Sequence, residues 1–348
     1  MRTFKVFCCN TAQITTYSMH PHTKILLAVS TFASLAFPTT ASTQNNERLV
    51  ELNCLNFKIS DSWTAQVFHI VDQLSEWSQY THHQYIRWAK KKMQLNKDDS
   101  AMLHQHALLR QAHEISDDFD KSFLVNAPIE KAIAAAIVEK RLTEEEGIKE
   151  QSVLLYFSKR LSALQDTAVR QVTGFYKNLD AATMTMTSFI KKICDFTATK
   201  EKLTVPVFIV ANPENGNGGG EANGGRLVIE LQDSSYTWPV LIHESFHFLL
   251  RPYMEQVKAM SDSAQVDWQV INEGLAYAMA GLLEDVDRLP NALVVNIARG
   301  KGLPDWYTQF YMAGLVFRPM LRIALEKGET ITGFLPWAIR RWKQVNGR

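Results

Sequence analysis

The sequence has 348 residues, of which 37 are basic and 36 acidic, so its formal net charge at pH 7 is only +1. This balance argues against a nucleic-acid-binding protein, which would carry a strongly basic surface. The length accommodates two domains, and a hydrophobic content of 46% is that of an ordinary globular protein with a substantial core.

The N-terminal segment has the features of a secretory signal peptide. A short basic stretch, His20 to Lys24, precedes an apolar run from Ile25 to Phe37, which small residues follow. The run is too short for a stable membrane span, and small residues are typical of a cleavage site. We therefore predict a signal peptide within residues 1–42, with Met19 as the expected start, and a secreted or periplasmic protein without a stable membrane span. An uncleaved membrane anchor is the alternative.

Signal cleavage would leave Cys54 and Cys194 as the only cysteines. An even pair can form a disulfide in an oxidising compartment. Because the bond would join the two ends of the N-terminal region, the chain-entropy estimate of its stabilisation is about 4–5 kcal/mol. Two free buried thiols are the alternative, and the sequence leaves the choice open.

Residues 43–200 are predicted to form a helical domain. Between residues 60 and 196 prolines and glycines are few, and apolar residues recur at intervals of three and four, for example from Val67 to Trp77. Pro128 and Thr143 mark predicted helix boundaries.

Five histidines cluster in this helical region. We interpret them as exposed helix residues rather than as a second metal site. They are His82, His83, His104, His106 and His113.

Two strands are predicted in the following region, because Leu203–Val210 and Arg226–Leu231 are rich in β-branched and aliphatic residues. The glycine-rich segment between them, Asn212 to Gly225, is predicted to be a loop or turn throughout. No Gly-Lys-Ser/Thr sequence follows it, so a phosphate-binding loop is not indicated.

The sequence His243-Glu244-Ser245-Phe246-His247 is an H-E-x-x-H motif within an apolar, helix-compatible run. Residues four apart lie on one face of a helix, so the two imidazoles can converge on one metal ion. Glu244 lies one step around the helix, where its carboxylate can take a proton from a metal-activated water. The motif therefore predicts a zinc hydrolase. A surface helix with incidental His and Glu residues is the competing interpretation.

A third metal ligand is expected, since catalytic zinc sites use three protein ligands and keep one open position. No histidine follows His247, so a carboxylate is predicted. Glu273 fits this role because it lies in a second apolar, helix-compatible stretch, Trp268 to Leu283, where a lone carboxylate is costly to bury. The alternative is a helix N-terminal glutamate that the helix dipole stabilises.

Together, the H-E-x-x-H motif and Asn272-Glu273-Gly274-Leu275-Ala276 resemble the gluzincin group of zinc metallopeptidases, to which thermolysin and the M1 aminopeptidases belong. The resemblance implies His243, His247 and Glu273 as ligands of one Zn²⁺ per chain. It implies Glu244 as the general base and then the proton donor. The implied fold is a zincin-like catalytic domain at 201–348, with a small sheet and an active-site helix.

The segment Phe310 to Gly314 is similar to the aminopeptidase Tyr-x-Lys-Gly segment, which implies Tyr311 as the residue that stabilises the oxyanion. Ala313 stands where that segment has lysine. Tyr253 and Tyr307 are alternatives for this role.

Two departures from the group concern the surroundings of the third ligand. The gap between His247 and Glu273 is longer than in the M1 enzymes, and Tyr277 stands where the thermolysin group has an aspartate that orients a histidine. The sequence does not choose among three other candidates for an orienting carboxylate. They are Asp267, Glu284 and Asp285.

The resemblance also bears on substrate binding. Zinc peptidases bind a peptide antiparallel to an edge strand, which implies Leu227 to Leu231 as one wall of the cleft. The segment Gly219 to Asn223 faintly resembles an exopeptidase motif whose glutamate binds the substrate amine. Glu221 would be that glutamate, although a hairpin tip is the preferred interpretation.

We therefore predict an α+β protein, mainly helical, that hydrolyses peptide bonds in a peptide or protein substrate with zinc. The alternative is a catalytically weak or inactive peptidase-fold protein that acts as a helical partner-binding module. Another hydrolase chemistry on the same zinc is also open. The sequence indicates neither endo- nor exopeptidase action and no oligomeric state.

Overall fold

The computed structural model describes residues 47–78, 81, 83–113, 118–213, 219–231, 234–284 and 305–346. The predicted signal peptide lies outside the described residues, as does the centre of the glycine-rich segment. The described elements, in chain order, are β1 (Glu47–Leu52), β2 (Leu55–Ser60), α1 (Trp63–Ser75), α2 (His83–Lys92), α3 (Lys97–Ala112), α4 (Asp118–Phe123), α5 (Ile129–Val138), α6 (Glu144–Arg160), α7 (Gln165–Phe196), β3 (Leu203–Ala211), β4 (Gly220–Asn223), β5 (Arg226–Leu231), α8 (Ser234–Leu250), α9 (Met254–Ala264), α10 (Trp268–Glu284), α11 (Asp305–Glu326) and α12 (Ile331–Asn346).

The fold is α+β and mainly helical, as predicted. Local sequence signals account for the helix boundaries that were predicted. Pro128 occupies the N-cap position of α5, and Thr143 caps α6, where its hydroxyl accepts a hydrogen bond from the Glu146 amide. The Glu146 carboxylate accepts one from the Thr143 amide in return, which completes a capping box.

The five strands form one mixed sheet in the order β1-β2-β3-β5-β4. Parallel pairs join β2 to β3 and β3 to β5, whereas β1–β2 and β4–β5 are antiparallel. β1 and β2 were not predicted, and they place strands from both predicted segments, 43–200 and 201–348, in a single sheet.

Two predictions about the sheet are wrong. β4 lies within the segment that was predicted to be loop throughout, and it pairs with β5 from Gly220 to Asn223. β5 was predicted to be the edge strand at the cleft, but β3 and β4 flank it on both sides. The edge position belongs to β4.

The sheet is the middle layer of the fold, with helices on both faces. Val207 and Ile229 point to one face and share a core with α7, α8, α10, α11 and α12. Phe208 and Val228, their neighbours along the strands, point to the other face and share a core with α1 to α6. The alternation of side chains along β3 and β5 therefore separates the two helical layers.

Cys54 and Cys194 form a disulfide, with a Cα–Cα distance of 6.0 Å. The bond connects the β1–β2 turn to the last turn of α7, so it closes a loop that contains α1 to α6. The sequence left open whether these cysteines form a disulfide or remain two free buried thiols, and the structure contains the disulfide.

No described helix is both long and apolar enough to cross a membrane.

A buried ionic cluster lies among α1, α3, α4 and α6, and it corrects the prediction that His106 is exposed; His104 is exposed, as predicted. The side chain of His106 is fully buried: Nδ1 lies 2.8 Å from Glu150 Oε1 and Nε2 lies 3.1 Å from Asp72 Oδ1. Arg110 Nε donates to the same Asp72 oxygen at 2.8 Å, and Arg110 Nη2 lies 2.8 Å from Asp120 Oδ1. The charged imidazole lies between two carboxylates, and this pairing of opposite charges offsets the free-energy cost of burying the cluster.

We expect His106→Gln to destabilise the protein by about 3 kcal/mol near pH 6, and by less as the pH rises. Burial lowers the pKa of His106, but Glu150 and Asp72 outweigh it and raise the pKa to about 9. A folded-state pKa above the ordinary value gives stability that is complete below about pH 6.5 and is lost as the pH rises through about 9. Denaturant unfolding of both proteins at several pH values measures this. A stability difference that stays constant with pH would contradict it.

Candidate metal centre

The H-E-x-x-H motif lies on α8, which packs against β4, β5 and α10. The helix was predicted, and its four-residue repeat places both motif histidines on one face. His243 Nε2 and His247 Nε2 lie 3.1 Å apart. Both side chains are largely buried, with exposed fractions of 12% and 15%.

Glu273 approaches both histidines from α10. Its Oε2 lies 3.3 Å from His243 Nε2, and its Oε1 lies 3.4 Å from His247 Nε2. The potential ligand atoms of the three residues all lie within 4.8 Å of one another, so the group could hold a metal ion. The structure thus brings together the three residues that the sequence singled out as ligands.

Asn272 orients the second histidine of the motif. His247 Nδ1 lies 3.3 Å from Asn272 Oδ1, and donation of a hydrogen bond to this oxygen fixes the tautomer that leaves Nε2 with its lone pair. The candidates predicted for this role were carboxylates, whereas the group in contact with His247 is an amide. The feature of the sequence that indicates this role is the position of Asn272 next to Glu273.

The carboxylates predicted as alternatives do not occupy this position among the described residues. Asp267 is exposed, and its Oδ1 accepts a hydrogen bond from the Gln269 amide at the start of α10, 2.9 Å away. Asp285 and the side chain of Glu284 lie outside the described residues.

Glu244 points toward the sheet edge and is 8% exposed. A Cβ at Gly220 would lie 2.7 Å from Glu244 Cγ and 3.1 Å from its Oε1, so only glycine permits this approach of β4 to the carboxylate. The glycine-rich segment therefore has a packing role at the site that the loop prediction did not include.

Opposite charges at the site affect the ionisation of one another. Burial opposes ionisation of Glu273 and of His247. The neighbouring histidines nevertheless hold the pKa of Glu273 well below its usual range, and Glu273 raises the pKa of His247 to about 9. Burial also raises the pKa of Glu244. Two imidazoles and a carboxylate at this spacing form either an ion-pair cluster or a metal site.

Two tyrosines extend the site toward α11. The Tyr277 ring meets the His243 ring edge-on with centroids 4.4 Å apart, and the Tyr311 ring lies 4.4 Å beyond it. Tyr311, the predicted oxyanion donor, is therefore one ring away from His243. In the sequence, Tyr277 is a departure from the thermolysin group, which has an aspartate at this position. Its contact with His243 was not predicted.

Glycines at the α10–α11 contact allow this arrangement. A Cβ at Gly314 would lie 2.7 Å from Tyr277 Cβ, and one at Gly274 would lie 2.5 Å from Ala313 Cβ. The helices can approach this closely only because these positions lack side chains. Ala313, which stands where the aminopeptidase segment has lysine, is buried in this contact.

Of the two alternative tyrosines, Tyr253 contacts another part of the fold. The Tyr253 hydroxyl donates a hydrogen bond to the Thr197 carbonyl oxygen at 2.5 Å, away from the three potential ligands. The side chain of Tyr307 lies outside the described residues.

Glu221 lies on β4, on the opposite sheet face from Gly220. Its carboxylate accepts hydrogen bonds from Gln73 Nε2 at 2.8 Å and Asn223 Nδ2 at 3.1 Å, and lies 3.7 Å from His69 Nδ1. The prediction of a hairpin tip is wrong for this residue, which belongs to a paired strand. Neutral donors and a histidine hold its carboxylate in place.

A second buried glutamate fixes the loop that leads into β4. Glu230 Oε2 accepts hydrogen bonds from the Gly219 amide at 3.0 Å and from Asn212 Nδ2 at 3.2 Å. Glu230 Oε1 lies 2.9 Å from His69 Nε2, and both side chains are almost fully buried. This role of Glu230 was not predicted, although a glutamate within a predicted aliphatic strand indicates a carboxylate that needs partners.

Comparisons with protein-family models, with curated proteins and with solved structures found no match. The functional proposal therefore depends on the geometry of the described residues.

Proposed function

We propose that the protein is a zinc-dependent peptidase of the gluzincin type, with one Zn²⁺ held by His243, His247 and Glu273. The observation that carries the proposal is the spacing of the three side chains: His243 Nε2 and His247 Nε2 lie 3.1 Å apart, and each lies 3.3 to 3.4 Å from a different oxygen of Glu273. In a tetrahedral site with ordinary zinc–ligand bonds, neighbouring ligand atoms lie about 3.3 Å apart. The contacts between these side chains support a site in which one oxygen of Glu273 completes a three-ligand set.

The chemistry of the donor set agrees with this assignment. Two imidazole nitrogens and one carboxylate are a combination found in catalytic zinc sites, where a fourth position stays open. The contact of His247 Nδ1 with Asn272 supports His247 Nε2 as the atom whose lone pair would bind the metal. Bound zinc would supply a Lewis acid that polarises the scissile carbonyl and makes water more acidic.

Glu244 would then act as general base. Its carboxylate takes a proton from the attacking water and later gives it to the leaving amide nitrogen, so the residue ends the cycle unprotonated. Its buried position beside β4 limits the rotamers available to it. Tyr311 would donate a hydrogen bond to the oxyanion that forms at the carbonyl.

β4 would orient the substrate. It is the last strand of the described sheet, and its Gly220 backbone lies against Glu244. A peptide that adds to the outer edge of β4, which no other described strand covers, would place its main chain alongside the general base. This replaces β5, the strand that the sequence analysis assigned to the cleft wall.

A secreted or periplasmic location accompanies the proposal. A buried disulfide is characteristic of proteins that fold in an oxidising compartment. The predicted signal peptide gives the same expectation from the sequence.

Zinc content tests the ligand assignment. We expect about one zinc per chain by mass-spectrometric metal analysis, and loss or strong weakening of binding in Glu273→Ala, because a third ligand is removed. Glu255→Ala is the matched control, since Glu255 is 92% exposed and lies on α9. No zinc in the parent protein, even after reconstitution, would overturn the proposal.

A further inference from the structure

A cavity separate from the candidate metal centre lies between α4, α5 and the start of β5. Its volume is about 580 Å³, within the range of small-molecule sites. The cavity wall contains four basic and two acidic side chains, which gives it a net positive charge of two. The basic residues are Lys121, Lys131, Arg141 and Arg226, and the acidic ones are Asp118 and Glu139.

The acidic side chains neutralise only part of this charge. Glu139 Oε2 lies 2.6 Å from Arg141 Nη2, and Asp118 Oδ1 lies 3.1 Å from Lys121 Nζ. Arg226 forms a hydrogen bond to the Gly224 carbonyl oxygen, at 3.3 Å. Within the described part of the chain, no carboxylate forms a salt bridge with Arg226 or Lys131.

Arg141 is a largely buried base in the wall of this cavity. Its side chain is only 14% exposed, and its Nε is fully buried with no hydrogen-bond partner among the described residues. A buried guanidinium N–H without an acceptor is costly. Burial and the nearby charge of Arg141 also lower the pKa of Arg226, and the carboxylate of Glu139 offsets only part of this effect.

We propose that this cavity binds a small organic anion through a carboxylate or phosphate group, which Arg226 and Arg141 contact and Lys131 neutralises. Planar guanidinium groups bind both kinds of oxyanion through paired hydrogen bonds, and the resulting contacts are stronger than those between neutral groups. The open position of Lys131 on α5 allows its flexible side chain to reach an anion of variable size. This site is additional to the proposed peptidase centre and does not depend on it.

Calorimetric titration with succinate and with inorganic phosphate, each at constant ionic strength set with chloride, tests the proposal. We expect saturable binding of at least one probe, and the preferred probe identifies the group as a carboxylate or a phosphate. Arg226→Gln should weaken binding at least about tenfold, because it removes charge-assisted hydrogen bonds. Lys131→Gln, at an exposed helix position, should weaken it without affecting the fold.

Two further variants distinguish the cavity from a general effect of surface charge and from the metal centre. Arg87→Gln removes the same charge from an exposed position on α2 and should leave binding unchanged. Glu273→Ala should also leave it unchanged, because the cavity binds its anion without a metal. The proposal would be overturned if neither probe showed saturable binding. It would also be overturned if Arg226→Gln and Lys131→Gln both bound the probe as tightly as the parent protein, or if Arg87→Gln weakened binding as much as Arg226→Gln.

Discussion

Substitution of Glu244 by glutamine should abolish peptide hydrolysis while zinc binding is retained. Glutamine has nearly the same shape as glutamate, so the packing against Gly220 is preserved, but its amide cannot accept the proton of the attacking water. General acid–base catalysis contributes roughly 10²–10⁴ in rate, and we expect kcat/KM to fall by about 10³ or more. Cleavage of a diverse peptide library, followed by mass spectrometry, measures the loss.

The matched control is Glu255→Gln, which makes the same chemical change at an exposed position of α9. It should retain full turnover. Zinc content measured on the same samples separates loss of the base from loss of the metal. Normal cleavage by Glu244→Gln would refute the assigned mechanism.

The same experiment tests the alternative function. A parent protein that binds zinc but cleaves no peptide in the library would favour a peptidase-fold protein that acts by binding a partner. Cleavage that disappears in Glu244→Gln would instead establish the peptidase and begin to define its specificity.

The parts of the candidate site that were predictable from sequence are those set by local geometry. His243 and His247 converge because residues four apart on a helix share a face. Glu273 was predicted because a carboxylate in an apolar helical stretch needs a partner, and the structure supplies two histidines. Both arguments require only short-range patterns and the cost of buried charge.

The parts that were missed depend on contacts between distant segments. Tyr277 reaches His243 because α10 and α11 pack closely at Gly314, and a sequence does not reveal which helices meet. β4 was predicted to be a loop because its glycines are turn signals, yet pairing with β5 overrides that local preference. His106 was assigned to the surface because its partners, Asp72 and Glu150, lie on other helices.

Loss of the Cys54–Cys194 disulfide should destabilise the fold by about 4–5 kcal/mol in the chain-entropy estimate, the largest stability effect expected of a single covalent change here. The sequence separation of 140 residues is what makes the estimate large. The bond also fixes the point where β2 and β3 begin to pair, because the Leu203 amide donates a hydrogen bond to the Cys54 carbonyl oxygen at 2.8 Å. Denaturant unfolding with and without a reductant measures the difference.

Comparison of reduced parent protein with the double variant Cys54→Ala and Cys194→Ala separates the cross-link from the packing of the sulfur atoms. Both cysteines are 3% exposed, so the alanines leave a small void and the double variant should be slightly less stable than the reduced parent. Unchanged stability on reduction would show that the unfolded chain gains little freedom, and would contradict the prediction.

Because β3 lies between the cross-linked strand β2 and β5, reduction should weaken the support of the sheet edge that faces Glu244. A reduced protein that remains folded but hydrolyses peptides more slowly would therefore link the disulfide to the proposed activity.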